Sequence, residues 1–133
     1  MLSENNVLKS ILRKIKEKGE LNEELIEELR TIFPDKIEKT IEILSKGIIQ
    51  YTFFPSGRKV WVAIGSKNIH HLIYPNIYCD CFDFYKNVVI KKKSDLCKHI
   101  LAHRIALSLN DYEEISFNDD EFAKFIEQFK FES

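Results

Sequence analysis

Two short pairs, Cys79-x-Cys81 and Cys97-x-His99, separated by fifteen residues, constrain this chain more than any other feature in it. Tetrahedral zinc takes four nitrogen or sulfur donors at about 2.0–2.3 Å, and paired donors on both sides of a gap are how a chain delivers them. Cysteines at i and i+2 on a strand fall on the same side, so Cys79 and Cys81 converge with modest bending. In a helix the same spacing puts side chains about 200° apart. Cys97 and His99 therefore cannot both occupy regular helix and chelate one ion. The spacing predicts Cys97 at the entrance of a helix and His99 in its first turn, with the metal prevailing over the better capping residues Ser94 and Asp95. His103, one turn beyond His99 on the same helical face, is the alternative fourth ligand; the repeated C-x-[CH] pairing favours His99. Four protein donors leave no open position on the ion, which argues for a structural role. The plainer reading, buried thiols and a surface histidine, does not account for pairing at both ends.

The rest of the chain fits that reading. At 133 residues it is most economically one domain, and 44% hydrophobic content with 12% aromatics supplies a core. No run approaches the roughly 18 apolar residues of a membrane span. The amino terminus, polar at Glu4 and Asn5, does not read as a signal peptide. The expectation is a cytoplasmic protein, nucleoid-associated, or nuclear in a eukaryote, with no membrane partner. Three cysteines, two of them one residue apart, do not make a disulfide ladder and in a reducing compartment read as metal ligands.

Periodicity predicts an α+β chain. Residues 1–47 form a helical segment. Val7, Leu8, Ile11, Leu12 and Ile15 repeat at helical spacing up to Gly19; Asn22 caps a helix with Leu25, Ile26, Leu29 and Ile32, ended by Pro34; Asp35 caps a third that closes at Gly47. Residues 48–110 carry a small antiparallel sheet and the metal module. Residues 48–54 and 58–64 form a hairpin about Pro55-Ser56-Gly57, 69–74 a third strand and 77–79 a fourth, and a helix runs from Cys97 to about Leu109. In the second strand Val60, Val62 and Ile64 alternate with Lys59, Trp61 and Ala63, which implies one buried face and places Trp61 out of phase with it. Residues 111–133 end in an amphipathic helix opened by Asn118 with Glu121, its apolar face made by Phe122, Phe125, Ile126 and Phe129.

Beside these residues stand longer matches. Phe54-Pro55-Ser56-Gly57-Arg58-Lys59-Val60, Ile64-Gly65-Ser66, Tyr78-Cys79-Asp80-Cys81 and Lys93-Ser94-Asp95-Leu96-Cys97-Lys98-His99-Ile100-Leu101-Ala102 occur here in that order. In this the chain resembles the SWIM zinc-finger family, and within it the small SWIM-domain subunit of Shu-type homologous-recombination complexes, in the manner of an archaeal member. The resemblance spans roughly residues 50–110. It implies a zinc-bound ββα module held by Cys79, Cys81, Cys97 and His99. It also implies a non-catalytic accessory subunit that pairs with a paralogue of the RecA-family recombinase and supports filament assembly on single-stranded DNA through that complex. Phe84 matches the aromatic that follows the second cysteine and reads as packing beneath the metal. Phe82 stands where relatives carry proline, so the exit from the knuckle differs.

Charge is unevenly spread beneath a net −1: residues 86–104 hold six basic groups against Asp95, and residues 111–133 eight acids against two lysines. Lys91, Lys92, Lys93, Lys98 and Arg104, extended by Arg58 and Lys59, are candidate phosphate contacts for a single strand. Balancing the zinc thiolates is the competing role. His70-His71 is not expected to add ligands, since only one of two neighbours on a strand faces inward. A stand-alone SWIM nucleic-acid or protein-binding regulatory module is the second functional reading. A zinc hydrolase is the third, opposed by the absence of an HExxH motif, of a convincing carboxylate base near the cysteines and of a glycine-rich phosphate loop.

Overall fold

A computed structural model describes residues 4–64, 70–74, 78–79 and 97–127, with side chains for 6–64, 70–73 and 97–127. Three amphipathic helices open the chain: α1 (Glu4–Lys18), α2 (Glu23–Ile32) and α3 (Ile37–Lys46). Asn22 caps α2 as its sequence predicts, its side-chain oxygen accepting from the Leu25 amide at 2.9 Å. Asp35 does not cap α3. The N-cap is Lys36, without a side-chain cap bond, because the helix entry is bound instead through backbone bonds from Lys36 and Ile37 to the Phe33 carbonyl. Gly47 ends α3 at φ 123°, a conformation open to glycine.

The period then changes from helix to strand. β1 (Ile48–Phe54) and β2 (Arg58–Ile64) form the predicted hairpin, followed by β3 (His70–Tyr74) and β4 (Tyr78–Cys79). These four are antiparallel neighbours. The sheet is nevertheless mixed. Residues Glu113–Asn118 form β5, which lies parallel to β1 at the opposite edge, giving five strands in the order β4-β3-β2-β1-β5. The antiparallel sheet and the wholly helical end expected from sequence are corrected accordingly. Ile115 and Phe117 alternate with polar residues over too few positions, among too many acids, to signal a strand without β1 as partner. The capping residues survive further on: Glu121 accepts from the Asn118 amide at 3.1 Å, opening a short 3-10 turn (Asp119–Glu121) that leads into α5 (Phe122–Glu127).

Both faces of the sheet are covered. On one, Ile48, Trp61, Ala63 and Ile73 join a core with α1, α2, α3 and α4 (Lys98–Leu109). Of the two readings open to a Trp out of phase with the valines, an exposed interface anchor or packing against the amino-terminal helices, the structure shows burial: Trp61 joins the core that contains those helices. On the other face Phe53, Val60, Val62 and Leu72 meet Phe125, with Tyr51, Phe117 and Phe122 completing an aromatic cluster of ring centroids 4.6–6.2 Å apart. Ser56 donates from its amide and hydroxyl to the Asp119 carboxylate at 2.9 and 2.6 Å, tying the hairpin turn to the start of the last helical segment.

The helix α4 is central. It contacts α1 and α3 on one side and β1 through β4 on the other. Its residues from His99 to His103, with Ile105 and Ala106, are buried nearly all round, the pattern of a helix that serves as core rather than surface. Leu101→Ala, at a side chain with no exposure, is expected to cost about 2–5 kcal/mol in urea-induced unfolding. Leu107→Ala, on the exposed side of the same helix, should stay within about 0.5 kcal/mol.

Candidate metal centre

The entrance of α4 carries the second half of the ligand pattern. Cys97 is the N-cap, with extended backbone (φ −94°, ψ 175°) and no side-chain cap hydrogen bond. That conformation resolves the spacing problem, because only His99 lies in the helix and the pair is not splayed by helical rotation. The Cys97 side chain is fully buried and His99 is 2% exposed. His99 Nδ1 is buried with no hydrogen-bond partner among the described residues, a position that ordinarily carries a penalty. A metal ion bound there would supply the missing partner. A thiolate at a helix amino terminus is also favoured there by the backbone dipoles.

β4 is the other half. Cys79 pairs with Ile73 across β3–β4, and β4 lies against α4. The backbone thus brings the first cysteine of one pair alongside the helix that opens with the other. Cys81, Phe82, Phe84, Lys91, Lys92 and Lys93 lie outside the described residues, as does the side chain of Cys79. Among the described residues no group of three histidine, cysteine or acidic side chains is assembled for a metal; Cys97 and His99 are the two proposed ligands whose side chains fall in that set. The chemistry of this donor pair fits zinc.

His103 is placed differently from His99. Its ring is also 2% exposed, but stands edge-on to Trp61 with centroids 4.4 Å apart, and Trp61 in turn meets Tyr112 at 5.0 Å. Neither His103 nitrogen has a hydrogen-bond partner among the described residues. His71, one of the histidine pair not expected to add ligands, is the unexpected neighbour: its ring lies 4.2 Å from that of His99, tilted by 37°. The signal was in the register. His71 pairs with Ala63 and His70 with Ile64, so His71 shares the α4-side face with Trp61 and Ile73 while His70 takes the other.

The candidate phosphate-binding residues are not gathered into one described surface. The Arg58 guanidinium lies 4.2 Å over the Phe122 ring on the α5 side of the sheet. Lys98 and Arg104 belong to α4 on the opposite side, both half-buried, and burial lowers the Arg104 pKa. Lys59 is exposed on β2.

The described geometry defines a small α+β protein whose central helix begins, buried, with a Cys-x-His pair set against a sheet edge that carries another cysteine. Chains similar to it carry a matching name. Human (Homo sapiens) Zinc finger SWIM domain-containing protein 7 is 24% identical over 118 residues, covering 88% of this chain and 84% of the human one. The mouse (Mus musculus) protein of that name is 23% identical over 118 residues, covering 88% and 78%. The zebrafish (Danio rerio) protein is 26% identical over 113 residues, covering 83% and 81%. These similarities support a SWIM-type family. No family model matches the chain, and no solved structure matches it significantly. No helix among the described residues is long and apolar enough to cross a membrane.

Burial first, and the Arg104 charge second, lower the His103 pKa from its ordinary 6.5 to about 4. Between those values the unfolded chain binds a proton that the folded chain refuses. Stability is therefore full above pH 6.5 and declines as pH falls toward 4, by on the order of 2–3 kcal/mol for this group. His103→Phe should flatten that part of the pH profile in urea titrations; an unchanged slope would contradict the assignment.

Proposed function

We propose that this chain is a non-catalytic, zinc-binding accessory subunit of homologous recombination, docking on a RecA-family recombinase paralogue and supporting filament assembly on single-stranded DNA. The observation that carries the reading is the buried Cys97–His99 pair at the entrance of the most buried helix, β4 with Cys79 beside it. It occurs in a chain that aligns over most of its length with SWIM-named relatives. The resemblance of residues 50–110 to the Shu-type SWIM subunit supplies the recombination context and the partner.

Cys79, Cys81, Cys97 and His99 would hold one zinc ion. The ion supplies cross-linking: it joins the β4 region to α4, and through α4 to both the sheet and the amino-terminal helices. The protein residues do the rest. The α4 amino terminus and Lys98 offset the formal charge of about −1 that three thiolates and an imidazole give a zinc centre. Ile100, Leu101, Ile105 and Ala106 transmit the anchorage into the core. In this reading DNA is met mainly through the complex, since Arg58 is engaged over Phe122 and lies across the sheet from Lys98 and Arg104.

Metal analysis of purified chain should give about one zinc per molecule, and Cys97→Ser should lose the zinc together with much of the cooperative unfolding transition. Co-expression with the RecA-like paralogue of its own genome should yield a complex that survives gel filtration. Recovery of transcription or ubiquitin machinery in its place would favour the stand-alone regulatory module.

A further inference from the structure

We infer that His71 is a positioning residue for the metal centre, holding the imidazole plane of His99 by packing its own tilted ring against it from the sheet. The inference rests on the zinc reading and adds a residue outside the four ligands.

A metal-binding imidazole must present one nitrogen along the bond direction, and rotation about its own side-chain bonds moves that nitrogen off line. Orientation is usually fixed by a hydrogen bond to the ring's other nitrogen or by packing on its face. Here the ring is packed closely: the His71 ring lies 4.2 Å from that of His99 at 37°, slightly closer than the roughly 4.5–7 Å separation of ordinary aromatic pairs. The two residues come from elements that do not move together by default, a sheet strand and a buried helix, so the contact is set by tertiary packing. The register provides the space. His71 pairs with Ala63, whose methyl is the smallest side chain that keeps the β2 position apolar, and Ala63 is fully buried. Two positions along, Ile73 pairs with Cys79, so the strand that packs on one proposed ligand is also the strand that carries the β4 cysteine. β3 thereby links both halves of the centre. His70, paired with Ile64 on the opposite face, has the same chemistry without the placement.

The test uses full-length chain, with zinc affinity read by competition against a chromophoric chelator and ligand geometry by the visible d–d bands of the cobalt(II)-substituted protein. His71→Ala should weaken zinc binding about 10- to 100-fold, the usual effect of losing an orienting neighbour, and should broaden or shift the cobalt bands. His71→Phe, which keeps a flat ring and discards the nitrogens, should return affinity to within about threefold of the unsubstituted chain and restore the bands. His70→Ala should change neither. Unaltered affinity in His71→Ala overturns the inference. A His71→Phe variant as weak as His71→Ala also overturns it, because His71 would then act through a nitrogen. Should His71→Ala not fold, His71→Leu, which keeps apolar bulk without a flat ring, takes its place: zinc affinity and cobalt bands unchanged from the unsubstituted chain overturn the inference, and weakened affinity with shifted bands supports it. A wild-type chain that takes up neither zinc nor cobalt defeats the zinc reading itself, and this inference with it; normal uptake with an indifferent His71 defeats the inference alone.

Discussion

The burial of α4 between the amino-terminal helices and the sheet is the constraint on which the rest of the protein depends. A helix that is apolar nearly all round has no stable place except between two layers, and α4 finds α1 and α3 on one side and β1 to β4 on the other. Cys97 and His99 at its entrance are then buried as well, at a helix end whose amide groups need partners. In the zinc reading, Cys97 and His99 turn that liability into a site. A buried histidine nitrogen without a partner is costly in an apolar core and is satisfied when a cation binds.

This arrangement gives the proposed zinc a mechanical meaning. A two-residue strand such as β4 offers few ladder hydrogen bonds, so it gains most from being fastened to a well-packed element. The ion would fasten it to the best-packed helix of the fold. A structural site of this kind extends the rigid part of the molecule to the sheet edge without opening a catalytic position. The aromatic cluster on the far face does the equivalent for the carboxy-terminal elements, where Phe117, Phe122 and Phe125 collect on Phe53 and the Ser56–Asp119 hydrogen bonds lock the hairpin turn.

Much of this was legible in the sequence because it is local. The spacing of Leu8, Ile11 and Ile15, the cap at Asn22 and the run about Pro55-Ser56-Gly57 each carry their structure within a few residues. The helix entrance at Cys97 was legible for a different reason: only an N-cap conformation lets a C-x-H pair converge. What escaped was non-local. β5 exists because β1 offers it a parallel edge, and parallel pairing leaves no hairpin signature. For Trp61, alternation alone leaves exposure and helix packing both open until α4 is known to cover the second face of β2. His71 looked idle because its worth lies in the register with Ala63 and in the distance to a helix 28 positions later. Asp35 was outcompeted as a cap by backbone bonds to the Phe33 carbonyl.

X-ray absorption at the zinc edge of the purified full-length chain addresses the central claim most directly, since it counts the donors and names their elements. The account predicts a first shell of three sulfurs at about 2.3 Å and one nitrogen at about 2.0 Å. A shell of oxygen and nitrogen alone, or a chain that holds no zinc after purification under reducing conditions, would contradict it.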